Sequence, residues 1–313
     1  MSFALDVKNE ICSLSYTKLE STVLLSAFVR NNYTLENGII KLTTENPKVA
    51  RFLFTLFKIL FDVNAFVEGN LKTTFGSRTI YQISINDKVD LILKSLMVKD
   101  DTGDIILEIP HYFVDSFDLV RAYLSGSFLA CGSVNDPKKS SYHLEFLVDL
   151  KEEAEFLVKL FIEAYVGNLS AKMIRRDKGY MVYIKESSKI ADFLRLLGVN
   201  RAVLYYEDIR IYRDHKNMTN RLNNCEQANV DKTILACEKQ INDINIIEEK
   251  LGLDLVDEKL KDVIIYRKKY PDLSLDELSR VISYETGKEL TKSGLNHRLR
   301  KIKEIANRLK EEN

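Results

Sequence analysis

The stretch "RAYLSGSFLACGSV", Arg121 to Val134, sets Ser125, Gly126, Ser127, Ala130 and Gly132 into an otherwise apolar helical pattern. Glycine inside a helix costs about 1 kcal/mol relative to alanine. A helix this small at its centre signals that another backbone packs closely against it.

Working outward, two segments of the chain read alike, and each opens with a helix. The first runs helix "ESTVLLSAFVRNN", strand "GIIKLTTE", helix "NPKVARFLFTLFKILF", strand "NAFVEGNLKTTF", strand "RTIYQISIND" and helix "KVDLILKSLMV". The second runs helix "DLVRAYLSGSFLACG", strand "SYHLEFLVD", helix "KEEAEFLVKLFIEAYV", strand "NLSAKMIRR", strand "GYMVYIKE" and helix "SSKIADFLRLLGV". Apolar residues three and four apart predict the helices, and alternation, as in Tyr180, Val182 and Ile184, predicts the strands. The order α-β-α-β-β-α therefore occurs twice, over residues 20–98 and 117–199. A spacing this long is no solenoid repeat; it indicates a duplicated subdomain with a pseudo-twofold axis. Residues 1–19 form an N-terminal extension, and the duplicated domain spans 20–205.

Residues 206–253 read as a linker. The polar "DHKNMTNRLNNCEQAN" marks a boundary, and Ile234, Cys237, Ile241 and Ile244 then give a bridging helix one apolar stripe. Residues 254–313 form an all-α unit. A helix stops before Pro271, Ser274 and Glu277 form a capping box, and Gly287 lies in a connector before a last helix. Leu295, Leu299, Ile302, Ala306 and Leu309 line one side of that last helix. The pattern predicts a helix-turn-helix.

From Thr291 to Lys303 the last helix has five cations and no acid. Recognition helices read base edges with their N-terminal residues, and Arg and Asn suit bidentate contacts. Ser274, Lys292, Ser293, Asn296, His297, Arg298, Arg300, Lys301 and Lys303 are the candidate contacts to double-stranded DNA; the plainer alternative is a solvated basic face. Arg175 and Arg176 form a second candidate contact, which a solvated hairpin tip explains equally well.

The composition sets bounds. Of 313 residues, 45% are hydrophobic and 29% charged, with 46 basic and 46 acidic side chains, so a nucleic-acid site must be a local patch. Cys12, Cys131, Cys225 and Cys237 form no C-x-x-C pair and the histidines are scattered, so no metal site is expected and free thiols suit a reducing cytoplasm. The N-terminus lacks a signal-peptide pattern, and no apolar run approaches the roughly 20 residues of a membrane span. Neither phosphate-loop nor dinucleotide glycine motifs occur, so no cofactor is expected.

"LSGSFLACGS", Leu124 to Ser133, resembles the signature helix of LAGLIDADG homing endonucleases, and so, more faintly, does "LSAFVRNNYT", Leu25 to Thr34. The resemblance implies an α+β fold, a duplicated LAGLIDADG-like domain followed by an all-α helix-turn-helix domain. Active members place a metal-binding acid near the end of each signature helix. Here those positions fall on Asn32 and Cys131. An amide and a thiol are poor ligands for Mg²⁺, so a nuclease fold without nuclease chemistry is expected. "MSFALDVKNEI", "GSVNDPKKSSYHLEF", "RLNNCEQANVDKT" and "LTKSGLNHRLRKI" together resemble the WhiA family of bacterial regulators, almost from end to end. That resemblance implies a cytoplasmic, nucleoid-associated regulator of sporulation, or of cell division and chromosome segregation, that binds DNA without cutting it. A protein partner on the N-terminal domain is a further expectation. A pseudo-twofold interface satisfied within one chain favours a monomer. The competing expectations are an active endonuclease with displaced acids and an interaction scaffold that does not bind DNA.

Overall fold

The computed structural model describes residues 2–72, 78–139, 141–162 and 168–311. The chain forms two compact units, Met1–Arg213 and Asp214–Asn313. The ends of the expected strand "NAFVEGNLKTTF" and of the helices "KEEAEFLVKLFIEAYV" and "TKSGLNHRLRKIKEIANRLKEE" lie outside the described residues.

Unit 1 opens with helix α1 (Phe3–Ile11), which buries Phe3, Val7 and Ile11. The first repeat follows as α2 (Lys18–Arg30), β1 (Thr34–Glu36), β2 (Ile39–Thr44), α3 (Pro47–Phe61), β3 (Phe66–Lys72), β4 (Arg78–Ile85) and α4 (Val89–Ser95). The second is α5 (Phe117–Cys131), β5 (Gly132–Val134), β6 (Leu144–Val148), α6 (Lys151–Ile162), β7 (Lys172–Arg176), β8 (Gly179–Ile184) and α7 (Ser187–Leu197). The two antiparallel sheets share one topology, β1-β2-β4-β3 and β5-β6-β8-β7. Each repeat thus holds one more strand than the expected α-β-α-β-β-α. The added strands β1 and β5 have three residues each, too few for alternation to announce them.

The duplication explains the small residues of the opening stretch. Helices α2 and α5 pack along each other at the centre of unit 1. A β-carbon placed on Gly126 would stand 2.1 Å from the Leu24 carbonyl oxygen and 3.0 Å from the Ala27 β-carbon. No side chain fits there, so the glycine sets the distance between the two repeats. Around this pair one apolar core runs through both repeats.

Helix α8 (Asn200–Lys250) is continuous. The polar stretch 214–229, expected to be a boundary segment, is helical and exposed on all sides. Its asparagines hid the helix, because they favour turns over helix interiors. The division between the units falls inside this helix.

Unit 2 adds α9 (Glu258–Lys269), α10 (Leu275–Thr286) and α11 (Lys292–Glu311). Ser274 and Glu277 form the expected capping box, and Gly287 ends α10 with a φ of 66°, a left-handed turn that glycine accepts without strain. Ile244 and Ile247 of α8 join Leu260, Val263, Leu278, Leu295, Leu299 and Ile302 in a second core. The C-terminal part of α8 is therefore part of unit 2's fold and not a free bridge.

Candidate functional site

The helix-turn-helix is held by side chains at its turns. The Ser283 hydroxyl accepts from the Leu290 N–H at 2.8 Å and fixes the connector between α10 and α11. The Arg267 guanidinium is fully buried and donates to the Leu273 carbonyl at 2.7 Å, pinning the chain between α9 and α10.

Helix α11 divides into faces. Leu295, Leu299, Ile302 and Ala306 point into the core. Ser293, His297, Arg300 and Lys301 are exposed on the opposite face, and Lys292 is exposed at the helix start. Asn296 and Lys303 sit on the edge toward α8, where they line a groove. Arg298 is half-buried on the other edge, and its guanidinium lies 3.4 Å from the Lys259 carbonyl of α9. The Ser274 hydroxyl accepts from the Glu277 N–H at 3.3 Å as a helix cap. The nine candidate contacts therefore split: four share the outward face, and Arg298 and Ser274 are engaged in holding the fold.

In unit 1 the two degenerate positions sit at the helix ends. Asn32 accepts from the Thr43 N–H at 2.7 Å, tying α2 to β2. The Cys131 thiol donates to the Ser127 carbonyl at 3.2 Å, and burial pushes its titration above the ordinary thiol range. An amide and a protonated thiol, each already bonded, do not fit a divalent metal. Among the described residues no three His, Cys, Asp or Glu side chains come close enough together to hold one.

The sequence reading missed the charges beside them. The Lys8 ammonium of α1 donates to the Leu129 carbonyl at 3.1 Å. Lys8 and Asn32 line one cavity of about 830 Å³ together with Leu129, Ala130 and Gly132. Burial lowers the Lys8 pKa, and Cys131 is the largest influence opposing it. Glu153 of α6 is also buried; it accepts from the Tyr123 hydroxyl at 2.6 Å and the Asn31 amide at 3.2 Å, and so joins the two repeats. Burial raises its pKa above the usual carboxylate range. The i, i+4, i+8 spacing of Phe3, Val7 and Ile11 was the available signal for α1.

Pro137, Lys139 and Tyr142 hold the Arg213 side chain of α8. Arg213 donates to the carbonyls of Pro137 at 2.7 Å and Lys139 at 2.6 Å, and lies over the Tyr142 ring. His143 stacks on Tyr183 and pairs with Glu145, so it is a packed residue. Arg175 and Arg176 are neighbours in β7, so they point to opposite faces of the sheet. The face that carries Arg176 also carries the apolar row Leu147, Met181 and Ile174.

Comparison with known proteins agrees with this architecture. Three family models match: the WhiA N-terminal LAGLIDADG-like domain over residues 20–99, the WhiA LAGLIDADG-like domain over 120–216 and the WhiA C-terminal HTH domain over 219–306. A probable cell division protein WhiA of Brevibacillus brevis is 39% identical over 99% of this chain and 98% of its own. The probable cell division protein WhiA of Lactobacillus johnsonii is 39% identical over 100% of both chains. The crystal structure of full-length WhiA from Thermatoga maritima superposes with a TM-score of 0.57 at 26% identity, covering 98% of this chain and 99% of that one. That of the WhiA N-terminal LAGLIDADG domain has a TM-score of 0.50 at 22% identity, covering 63% of this chain and 90% of that one. The chain therefore belongs to the WhiA family, whose LAGLIDADG-like scaffold is degenerate and is not a catalytic nuclease.

Proposed function

We propose that this protein is a transcriptional regulator acting in cell division, and in sporulation where the organism sporulates, which reads duplex DNA with α11. The observation that carries the reading is the division of that helix. Ser293, His297, Arg300 and Lys301 share the exposed face while Leu295, Leu299 and Ile302 fill the core. Donors on the N-terminal half of an exposed basic helix suit base edges in a major groove, and Lys292 at its start suits a phosphate. The working place of such a protein is the nucleoid.

Unit 1 contributes a surface for a protein partner in this reading. Leu147 is 49% exposed and Ile174 36% exposed, and with Met181 they form an apolar strip on the sheet face that also carries the exposed cations Lys172 and Arg176. The test is genome-wide mapping of bound sites in cells, followed by titration of the full chain with an enriched duplex. Reproducible sites upstream of genes, with salt-sensitive binding lost in Arg300→Ala, support the proposal. Absence of enriched sites and of duplex binding overturns it.

A further inference from the structure

A groove of about 550 Å³ runs between α8 and α11 in unit 2. Lys239, Asn242 and Asp243 of α8 form one wall, and Arg300, Lys303 and Lys310 of α11 lie on the other. Asp243 pairs with Lys310 at 2.9 Å, so the groove's acid is already neutralised. Among the described residues no carboxylate pairs with Lys239, Arg300 or Lys303. Three cations elsewhere in the unit do pair with carboxylates: Lys268 with Glu248, Lys269 with Glu285 and Arg280 with Asp276. Three unmatched cations around one channel repel one another until an anion enters.

The shape narrows what that anion is. The groove is open, and none of its lining residues is aromatic, so it offers no surface on which a base would stack. Arg300 belongs both to the groove and to the outward face of α11. An anionic strand running along that face continues past Arg300 toward Lys239. Lysines and asparagine amides are common donors to phosphate oxygens.

We propose that Lys239 and Asn242 of α8 hold the phosphodiester backbone of the duplex that α11 reads, so that the long helix is itself part of the DNA interface. This rests on the DNA-binding reading and extends it to a second helix, whose last residue, Lys250, precedes the first of α11, Lys292. Phosphate contacts fix position and carry no sequence information. Lys239 therefore adds affinity to every duplex equally and leaves sequence preference to α11.

The experiment titrates the full chain with an enriched duplex and a scrambled one at several salt concentrations. Lys239→Ala should lower the slope of log affinity against log salt by about one. Lys239→Glu should weaken both duplexes by the same factor, about ten-fold. Lys18→Glu, which makes the same change in net charge at the exposed first residue of α2, should match the wild type. Lys239 is exposed, and thermal melting should show each variant folded. If the wild type binds and both Lys239 variants keep its slope and affinity, the inference is wrong while the recognition helix stands. Weakening of the enriched duplex alone would make Lys239 a base-reading residue and would also overturn it. If the wild type binds neither duplex, the DNA-binding reading fails and the inference fails with it.

Discussion

The Lys8 ammonium donates to the Leu129 carbonyl at 3.1 Å, two residues before Cys131 at the end of the signature helix. Helix C-termini carry unsatisfied carbonyls and partial negative charge. In the related endonucleases that place is where carboxylates and divalent metal are expected to meet. Here the chain supplies its own cation from α1, which balances the electrostatics of the helix end once the acids are gone.

The replacement leads to a test of the degenerate centre. Carboxylates introduced by Asn32→Asp and Cys131→Asp should pair with Lys8 and bind no Mn²⁺ in titration calorimetry. Saturable Mn²⁺ binding in that double variant would show that the ammonium does not fill the cation's role. Lys8→Glu would set a carboxylate against the Leu129 carbonyl and should cost about 3 kcal/mol in chemical denaturation. Lys8→Met keeps the packing and should change stability by less than about 1.5 kcal/mol. Because burial lowers the Lys8 pKa, wild-type stability should climb as pH rises from that lowered value to the ordinary 10.5, and Lys8→Met should lose this climb.

Gly126 makes a second prediction. A methyl group there meets the Leu24 carbonyl, which is main chain and cannot rotate away. Gly126→Ala should therefore destabilise unit 1 by about 3 kcal/mol, even though alanine is the better helix former. A melting temperature at or above that of the wild type would contradict the close helix approach.

Glu153 makes a prediction about pH. Its folded pKa is raised by burial above the ordinary 4.5, so between the two values the folded chain binds more protons than the unfolded one. Stability should fall as pH rises through that window toward neutrality. Glu153→Gln keeps an oxygen for Tyr123 and Asn31 without the charge. It should flatten the pH dependence and raise stability at pH 7 by on the order of 1 kcal/mol. A wild-type profile that rises across the same window would reverse the assigned sign.

Much of this was legible in the sequence because local rules and the fold agree. Gly126 and its small neighbours announced the helix pair, and Ser274 and Glu277 announced the start of α10. The alternation of Leu295, Leu299 and Ile302 with basic residues announced the faces of α11. What stayed hidden has physical reasons. Strands of three residues show no alternation, and β5 follows α5 with no turn between them. Lys8 and Leu129 meet over a separation of 121 positions, and Glu153 meets Asn31 over 122. Spacing rules see neighbours along the chain, while these contacts exist only after the repeats have packed. Arg298 looked equivalent to Arg300 in sequence, yet two residues of helix turn it through about 200°.

That difference between Arg298 and Arg300 is the sharpest test of the recognition face. Arg300 is exposed beside Lys301 and His297, and among the described residues no carboxylate pairs with its guanidinium. Arg300→Ala should weaken an enriched duplex by about 1–3 kcal/mol and relax its sequence preference, leaving the melting temperature unchanged. Arg298 lies 3.4 Å from the Lys259 carbonyl and packs α11 against α9. Arg298→Ala should lower the stability of unit 2 by about 1 kcal/mol. Its effect on DNA affinity should be smaller than that of Arg300→Ala and equal for enriched and scrambled duplexes. Titration of both variants, paired with thermal melting, separates the two roles. If Arg298→Ala melts like the wild type and loses sequence preference as Arg300→Ala does, Arg298 leaves α9 to read bases, and the division of faces along α11 is wrong.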